Sequence, residues 1–243
     1  HVRLLSTHLI GESSPMLAAR ASGAPSITTH GVVTDNGVMV EKSAWMRQVE
    51  ANPEHSRWYI ERFRAMEAAG HDLHGEARLI DAMAQRESRI LDAGCGTGRM
   101  GGRLLTLGHN VVGVDVDPVL IEAAKQDHPD GSWHTQDLAL LDLESIGQAE
   151  PFDIIVSTGN VMTFLAESTR NMVLGNLAKA LAPEGRLVIG FGAGRGYLFT
   201  DFLEDAAANG LQPDLLLATW DLRPWTPESD FLVAILSPAE QSQ

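Results

Sequence analysis

The sequence predicts an α/β protein built on an open, mostly parallel sheet with helices on both faces. From Arg89 onward, short apolar strands alternate with helical segments, and a glycine-rich turn follows the first of these strands. The last two strands are joined by a Pro-containing loop with no helix between them. Strand–helix repeats pair their strands in parallel through right-handed crossovers, whereas directly joined strands pair antiparallel.

Composition and charge limit the kinds of partner. The 243 residues are 44% hydrophobic and 21% charged, as in ordinary globular proteins, and no apolar run reaches the roughly 18 residues of a membrane span. Cys95 is the only cysteine, which excludes an intrachain disulfide and a Cys-cluster metal site. The net charge of -14 argues against non-specific nucleic-acid binding. We therefore expect a small-molecule partner, without nucleic acid, membrane or metal.

The chain divides into an extension and one domain. Residues 1–40 lack a sustained helical period, because Gly, Ser, Thr and Pro interrupt every apolar run, and we predict an irregular extension. Residues 41–243 are predicted to form a single domain, with a helical lid at 41–88 and the α/β core at 89–243. The apolar stretch at residues 4–10 contains Ser, Thr and His and is too short for a secretory signal, so we expect a cytoplasmic protein.

Two helices are predicted in the lid region. Asn52-Pro53 is typical of a helix start, with Asn52 as N-cap and Pro53 at the first helical position, and Gly70 ends that helix. Its apolar positions recur at helical spacing: Tyr59, Phe63 and Met66. A further helix is predicted over residues 75–85.

The core is predicted to contain seven strands. Five of them belong to strand–helix units, at residues 90–92, 111–115, 132–136, 152–157 and 186–192. Helices are predicted from the glycine turn to Gly108, from Pro118, over 167–182 and over 199–209. The last two strands lie at 211–222 and 231–237. The predicted order is 3-2-1-4-5-7-6, with only strand 7 antiparallel.

The glycine turn at residues 94–98 indicates a nucleotide-type cofactor. Gly94, Gly96 and Gly98 allow a sharp turn and a close approach of backbone to ligand, at the carboxyl end of a strand where open parallel sheets bind ligands. Residues 96–101 also fit the G-x-G-x-x-G pattern of dinucleotide-binding proteins, and Asp115 follows Gly96 by 19 residues, near the spacing of a ribose-binding acid. The turn alone therefore leaves the cofactor open.

Four neighbouring features favour one family. Asp92 ends the first strand, where its charge would repel a pyrophosphate but suit a cationic ligand. The second strand ends in Asp115, followed by Asp117-Pro118; Asp137 and Leu138 follow the third strand; and residues 181–186 lead into the fifth. Together these features resemble the class I S-adenosylmethionine-dependent methyltransferases of the small-molecule type, with a type 11 or type 25 domain. The resemblance covers residues 59–236 and implies a Rossmann-like, doubly wound sheet and an enzyme.

The resemblance implies a set of cofactor contacts. Gly94 and Gly96 would lie against the methionine moiety with Asp92 near its amino group, Asp115 would accept the ribose hydroxyls, and Arg78 would bind the carboxylate. The remaining cofactor-side positions are Cys95, Gly98, Val116, Asp137, Leu138 and Thr158.

Several of these residues have structural alternatives. Asp117 is better interpreted as the N-cap of the Pro118 helix, and Cys95 as a compact filler of the loop. Asp92 fits a ligand or a structural cap of the loop amides equally well. Arg99, at a helix start, is expected to be solvated.

The acceptor is defined only by exclusion. The segment after the fourth strand lacks the Asn/Asp-Pro-Pro-aromatic turn of amino methyltransferases that act on bases or protein glutamine. We therefore predict a small, partly apolar acceptor, with Tyr59, Asn160 and Tyr197 on its side of the site. No residue is assigned as general base, the histidines at 55, 71, 74 and 134 included. A non-catalytic cofactor-binding relative and, less favoured, a nicotinamide-dependent oxidoreductase remain as alternatives.

Overall fold

Seven strands form one mixed sheet in the computed structural model, which describes residues 31–33 and 39–239. We number them along the chain: β1 (Arg89–Ala93), β2 (Asn110–Asp115), β3 (Ser132–Thr135), β4 (Phe152–Ser157), β5 (Leu181–Gly192), β6 (Leu211–Leu217) and β7 (Phe231–Pro238). Their spatial order is β3-β2-β1-β4-β5-β7-β6. Only β7 runs antiparallel to its neighbours, β5 and β6, and the other pairs are parallel. The predicted strand order is confirmed.

Helices cover both faces of this sheet. Three of them precede it: α1 (Ala44–Ala51), α2 (His55–Ala68) and α3 (Gly75–Met83). The others follow individual strands: α4 (Arg99–Thr106), α5 (Pro118–Asp127), α6 (Val161–Phe164), α7 (Arg170–Ala180) and α8 (Phe199–Ala208), with 3-10 turns at Leu138–Leu140 and Glu167–Thr169. In the described part of the chain, no helix has the length and apolar character needed to cross a bilayer.

The apolar core has two layers because successive strand residues face opposite sides of the sheet. Ile90 belongs to the core layer that contains side chains of α3, α4 and α5, whereas its neighbour Leu91 belongs to the layer that contains side chains of α7 and α8. Both side chains are completely buried. Strands enclosed on both faces are nearly continuous in hydrophobic residues, which is why the chain does not show the alternating pattern of a half-exposed sheet.

Strand register places the loops of the site at one edge. Ala93 pairs with Val114, Asp115 pairs with Thr135, and Ser157 ends β4 at the same edge. Because parallel strands share a carboxyl edge, the turns that follow β1, β2, β3 and β4 converge there.

Three element boundaries differ from the predictions by more than two residues. β5 begins at Leu181 rather than residue 186, since Leu181 pairs with Phe152 ahead of a register shift. The helix predicted from residue 167 divides into the 3-10 turn and α7. β6 ends at Leu217 rather than residue 222, where Leu222 adopts a positive φ of 70° that an extended strand cannot contain.

Asn52 does not start the second helix. It is the C-cap of α1, and α2 begins at His55. The Asn52 side-chain oxygen accepts a hydrogen bond from the Glu54 N–H at 3.2 Å, so the residue forms a local turn between two helices. The Asn-Pro signal is correct as a helix boundary and wrong in its role as N-cap.

The end of the predicted irregular extension carries regular structure. Gly31–Val33 pairs antiparallel with Met39–Glu41, and Val40 is 4% exposed within the core layer that contains Leu91. The boundary predicted at residue 40 therefore falls inside a paired strand. Residues 1–30 and 34–38 lie outside the described residues.

Candidate active site

A cavity of about 360 Å³ opens at the carboxyl edge of the sheet. The turns after β1, β2, β3 and β4 form its floor, and α1 and α2, the lid helices, form its roof. Its volume lies within the range of about 300–1,000 Å³ that is usual for small-molecule and cofactor sites. The site therefore coincides with the ligand crevice that the sequence predicts.

The glycine turn is held against β2 by backbone hydrogen bonds. The Gly94 and Cys95 N–H groups both donate to the Val114 carbonyl oxygen, at 2.8 and 3.1 Å. Gly94 has a φ of +83°, and a Cβ there would lie 2.4 Å from the Val161 side chain. Only glycine fits this position, since the backbone is left-handed and the adjoining α6 leaves no space.

Asp115 joins the glycine turn to the turn after β2. Its side chain is 9% exposed and lines the cavity, with Oδ2 accepting from the Gly96 N–H and Oδ1 from the Asp117 N–H, both at 2.9 Å. Burial raises the pKa of the Asp115 carboxyl to about 6, against the opposing effect of these N–H groups. A buried carboxylate facing a cavity retains lone pairs for hydroxyl donors of a ligand.

Asp92 lies behind the turn and is not among the residues that line the cavity. It is 1% exposed, and its Oδ2 accepts from the Gly101 N–H in the first turn of α4 at 3.1 Å. Burial raises its pKa to about 7. Of the two interpretations that the sequence left open, this geometry favours the structural one.

The other cofactor-side positions divide in two groups. Those that line the cavity are Gly94, Cys95, Gly96, Asp115, Val116, Asp137, Leu138 and Thr158. Asp137 also accepts from the Ala139 N–H at 2.9 Å and so caps the 3-10 turn after β3. Gly98 is outside the lining; it has a φ of +73° and is the N-cap residue of α4, which starts at Arg99. Burial raises the pKa of the Cys95 thiol well above its ordinary value, in keeping with a compact filler.

Arg78 lies outside the cavity, whereas Arg99 lines it. Arg78 is exposed and forms an ion pair with Asp72 at 2.7 Å, away from the cavity. Arg99, expected to be solvated, lines the cavity with a side chain only 21% exposed and pairs with Glu76 at 3.1 Å. The face of α3 that carries Arg78 points outward, whereas Arg99 directly follows the glycine turn and is carried inward with it.

Tyr197 is a core residue and not an acceptor-side residue. It is 1% exposed, stacks on Phe191 and donates a hydrogen bond to the Asp205 carboxylate at 2.6 Å. Arg170 lies over its ring at 4.1 Å. Tyr59 and Asn160, the other two acceptor-side candidates, do line the cavity.

Aromatic side chains form one wall of the cavity, which we call the aromatic wall: Trp45, Trp58, Tyr59, Phe63 and Phe164. Ring centroids lie 5.3 Å apart for Trp45 and Tyr59, and 4.8 Å apart for Tyr59 and Phe63. Burial raises the pKa of Tyr59 to about 12, so its hydroxyl stays protonated at neutral pH. Among the four histidines considered above, His55 lines the cavity.

Asp117 anchors the lid helices to the sheet edge. It is the N-cap of α5, as predicted, since Oδ1 accepts from the Val119 N–H at 2.8 Å. Its Oδ2 accepts from Trp45 Nε1 of α1 at 2.8 Å and from Ser56 Oγ of α2 at 2.5 Å. Asp117 and Ser56 are almost fully buried. The sequence gives no signal for this second role, because the partners lie 72 and 61 residues away.

Within the described residues, no group of three or more His, Cys, Asp or Glu side chains is placed to hold a metal ion.

Comparison with known proteins identifies the family. Residues 90–185 match the model of a methyltransferase domain. The structure of a TehB-like S-adenosylmethionine-dependent methyltransferase from Corynebacterium glutamicum is 52% identical in sequence and superposes with a TM-score of 0.73. The match covers 77% of this chain and 100% of the Corynebacterium chain. A methyltransferase structure from Clostridium acetobutylicum, 10% identical, shares the fold over 76% of this chain and 99% of its own, with a TM-score of 0.65.

A curated relative adds a weaker match. The magnesium-protoporphyrin O-methyltransferase of Rhodobacter capsulatus is 32% identical over 104 residues, which are 39% of this chain and 46% of that protein. The matched part therefore spans about half of that relative's length. Since the Corynebacterium structure is matched over its whole length at 52% identity, the chain belongs to the S-adenosylmethionine-dependent methyltransferases, enzymes whose cofactor is S-adenosylmethionine.

Proposed function

We propose that this enzyme transfers the methyl group of S-adenosylmethionine to a small, partly apolar acceptor bound under the lid helices. The observation that carries the proposal is the aromatic wall opposite the glycine turn. A cavity of about 360 Å³ that must also hold part of the cofactor leaves space for a compact acceptor. The net charge of -14 disfavours a nucleic-acid substrate.

We assign the cofactor contacts to the floor of the cavity. Asp115 is suited to the ribose hydroxyls, because its carboxylate is buried, faces the cavity and is already oriented by two N–H donors. Val116 and Leu138 offer apolar surfaces to the two faces of the adenine. Asp137 offers an acceptor for the adenine amino group. Arg99 is the cation best placed for the cofactor carboxylate, since it follows the glycine turn and lines the cavity. We no longer assign that role to Arg78.

The chain contributes mainly positioning and exclusion of water. S-adenosylmethionine supplies a methyl group already activated by its positively charged sulfur. What the protein must do is hold a nucleophile in line with that methyl group, and such orientation is a large source of rate acceleration. The lid helices, tied to Asp117, close the roof over this position. We assign no general base. The proposal includes a cytoplasmic location, which cell fractionation would test.

An acceptor screen with methyl-labelled S-adenosylmethionine tests the proposal. We expect label in small aromatic phenols, amines or acids, and a higher acceptor KM in Phe164→Ala with little change in cofactor Kd, because Phe164 belongs to the aromatic wall and packs on Trp45. Leu198→Ala is the control, since this side chain is 62% exposed and lies outside the cavity. Label found only in protein or nucleic acid, with Phe164→Ala behaving like the control, would contradict the proposal.

A further inference from the structure

One wall of the cavity is built over two glycines of β5. Gly190 and Gly192 are two residues apart and therefore share a face of the strand. A Cβ at Gly190 would lie 2.3 Å from the Trp220 ring, and a Cβ at Gly192 would lie 3.5 Å from both Arg195 Nε and Asn160 Oδ1. Trp220, Arg195 and Asn160 all line the cavity. The missing side chain at Gly190 thus makes room for the indole, and the face at Gly192 lies against the guanidinium and the amide.

Arg195 differs from the other two arginines that line the cavity. Arg99 is paired with Glu76, and Arg62 lies over the Trp58 ring at 5.3 Å. Arg195 lies in the loop after β5 and is partly buried. Among the residues that the structure describes, it makes no hydrogen bond and no ion pair. Its guanidinium N–H groups are therefore available to an anionic ligand in the cavity.

Asn160 adds an oriented donor beside this cation. Its backbone φ is +67°, its side chain is 8% exposed, and its Oδ1 accepts from the Gly192 N–H at 2.8 Å. That bond fixes which way the amide plane faces. Its Nδ2 group donates to no described residue, so two donors on one wall face the cavity without an acceptor.

We propose that Arg195 and Asn160 bind a carboxylate group of the methyl acceptor, whose apolar part packs on Trp220 and Phe231. A guanidinium presents parallel N–H groups that match the two oxygens of a carboxylate, and an adjacent amide N–H strengthens the selection. Both aromatic residues line the cavity beside this pair. This inference rests on the proposed function and narrows its acceptor to small aromatic or aliphatic acids.

The cofactor's own carboxylate is the competing partner for Arg195. Arg99 directly follows the glycine turn, whereas Arg195 follows β5, on the far side of β4 from that turn. We therefore assign the cofactor carboxylate to the Arg99 side and the acceptor carboxylate to the Arg195 side. The two assignments predict different effects of an Arg195 substitution on cofactor affinity.

Paired acids and amides test the proposal in the full chain saturated with S-adenosylhomocysteine. The probes are 4-hydroxybenzoate with 4-hydroxybenzamide, and 3-phenylpropionate with 3-phenylpropanamide, measured by calorimetry or ligand-observed NMR. Each acid is expected to bind at least about tenfold more tightly than its amide, and Arg195→Gln should remove that preference. Arg223→Gln is the matched control, since Arg223 is 76% exposed and outside the cavity. The S-adenosylmethionine Kd of Arg195→Gln should stay within about twofold of wild type.

Three results would overturn the inference: equal or undetectable binding of acids and amides to the wild type, an acid preference that survives in Arg195→Gln, or a large loss of cofactor affinity in that variant. The last result would assign Arg195 to the cofactor carboxylate. Failure of the proposed function is separable, because it would show as absence of methyl transfer to every small acceptor, neutral ones included.

Discussion

Replacing Asp117 should detach the lid helices from the sheet edge. Asp117→Ala removes the α5 N-cap, which contributes about 1 kcal/mol, and leaves the Trp45 and Ser56 donors without their acceptor. The fully buried Ser56 donor costs about 1–3 kcal/mol when it is left unsatisfied, and the lost hydrogen bond of the half-buried Trp45 about 1 kcal/mol, so the free energy of unfolding should fall by about 3–5 kcal/mol in total. For a domain of this size, that loss corresponds to a decrease in Tm of about 6–20 °C.

Thermal melting and hydrogen exchange measure the two parts of this prediction. Beyond the lower Tm, amides of residues 44–68 should exchange faster than in the wild type, because the lid helices open locally. Glu122→Ala is the matched control: it is an exposed acid of α5 whose ion pair with Lys125 lies within that helix, and such pairs contribute about 0–1 kcal/mol. A Tm within about 3 °C of wild type, with unchanged exchange at 44–68, would refute the anchoring role.

Three further predictions concern the glycine turn and the charged residues around it. Asp115→Ala should weaken S-adenosylmethionine binding at least about tenfold in calorimetry, and Asp115→Asn should weaken it less. The affinity of the wild type should fall as the pH drops through about 6, where the Asp115 carboxyl of the free protein takes up a proton; a flat pH profile would contradict this. Burial raises the pKa of Asp92 to about 7, so the folded protein binds a proton there that the unfolded chain releases near pH 4. The stability that this proton contributes is full below about pH 4 and is lost as the pH rises through 7. In denaturant titrations, the free energy of unfolding of Asp92→Asn relative to wild type should therefore rise by about 2–3 kcal/mol between pH 5 and 8. Arg99→Gln should lower cofactor affinity and leave Glu76 unpaired, whereas Arg78→Gln should stay within about twofold of wild type; equal effects would contradict our assignment.

The fold could be predicted from the sequence because its signals are local and repeated. Each βα unit carries its own apolar strand and turn residues, and the directly joined β6 and β7 determine which strand runs antiparallel. The predicted β4 agrees with the observed Phe152–Ser157 at both ends. Boundaries were less accurate where pairing across the sheet decides them, as at Leu181, which extends β5 by bonding with Phe152.

The side-chain roles that prediction missed depend on long-range contacts. Tyr197 follows β5 in the sequence and is therefore expected beside the ligand, yet its hydroxyl donates to Asp205 and its ring packs in the core. Arg78 and Arg99 both fit a cofactor clamp by residue type, and only the orientation of α3 distinguishes them. The anchoring of α1 and α2 by Asp117 spans more than 60 residues, beyond any spacing rule.

The number of residues between β2 and α5 is itself constrained, because the turn there holds both Asp115 and Asp117. One side chain holds the glycine turn and the other holds the lid helices, and the Asp117 N–H donates to Asp115 across the two-residue step. An insertion of a single residue here would preserve every amino-acid type and still separate the two anchors from each other. The mostly exposed segment 141–151, which leads from the 3-10 turn at Leu138–Leu140 to β4, carries no such attachment to the lid helices or the glycine turn among the described residues. Insertions and deletions should therefore be far less tolerated between β2 and α5 than within that segment, whatever residues they introduce.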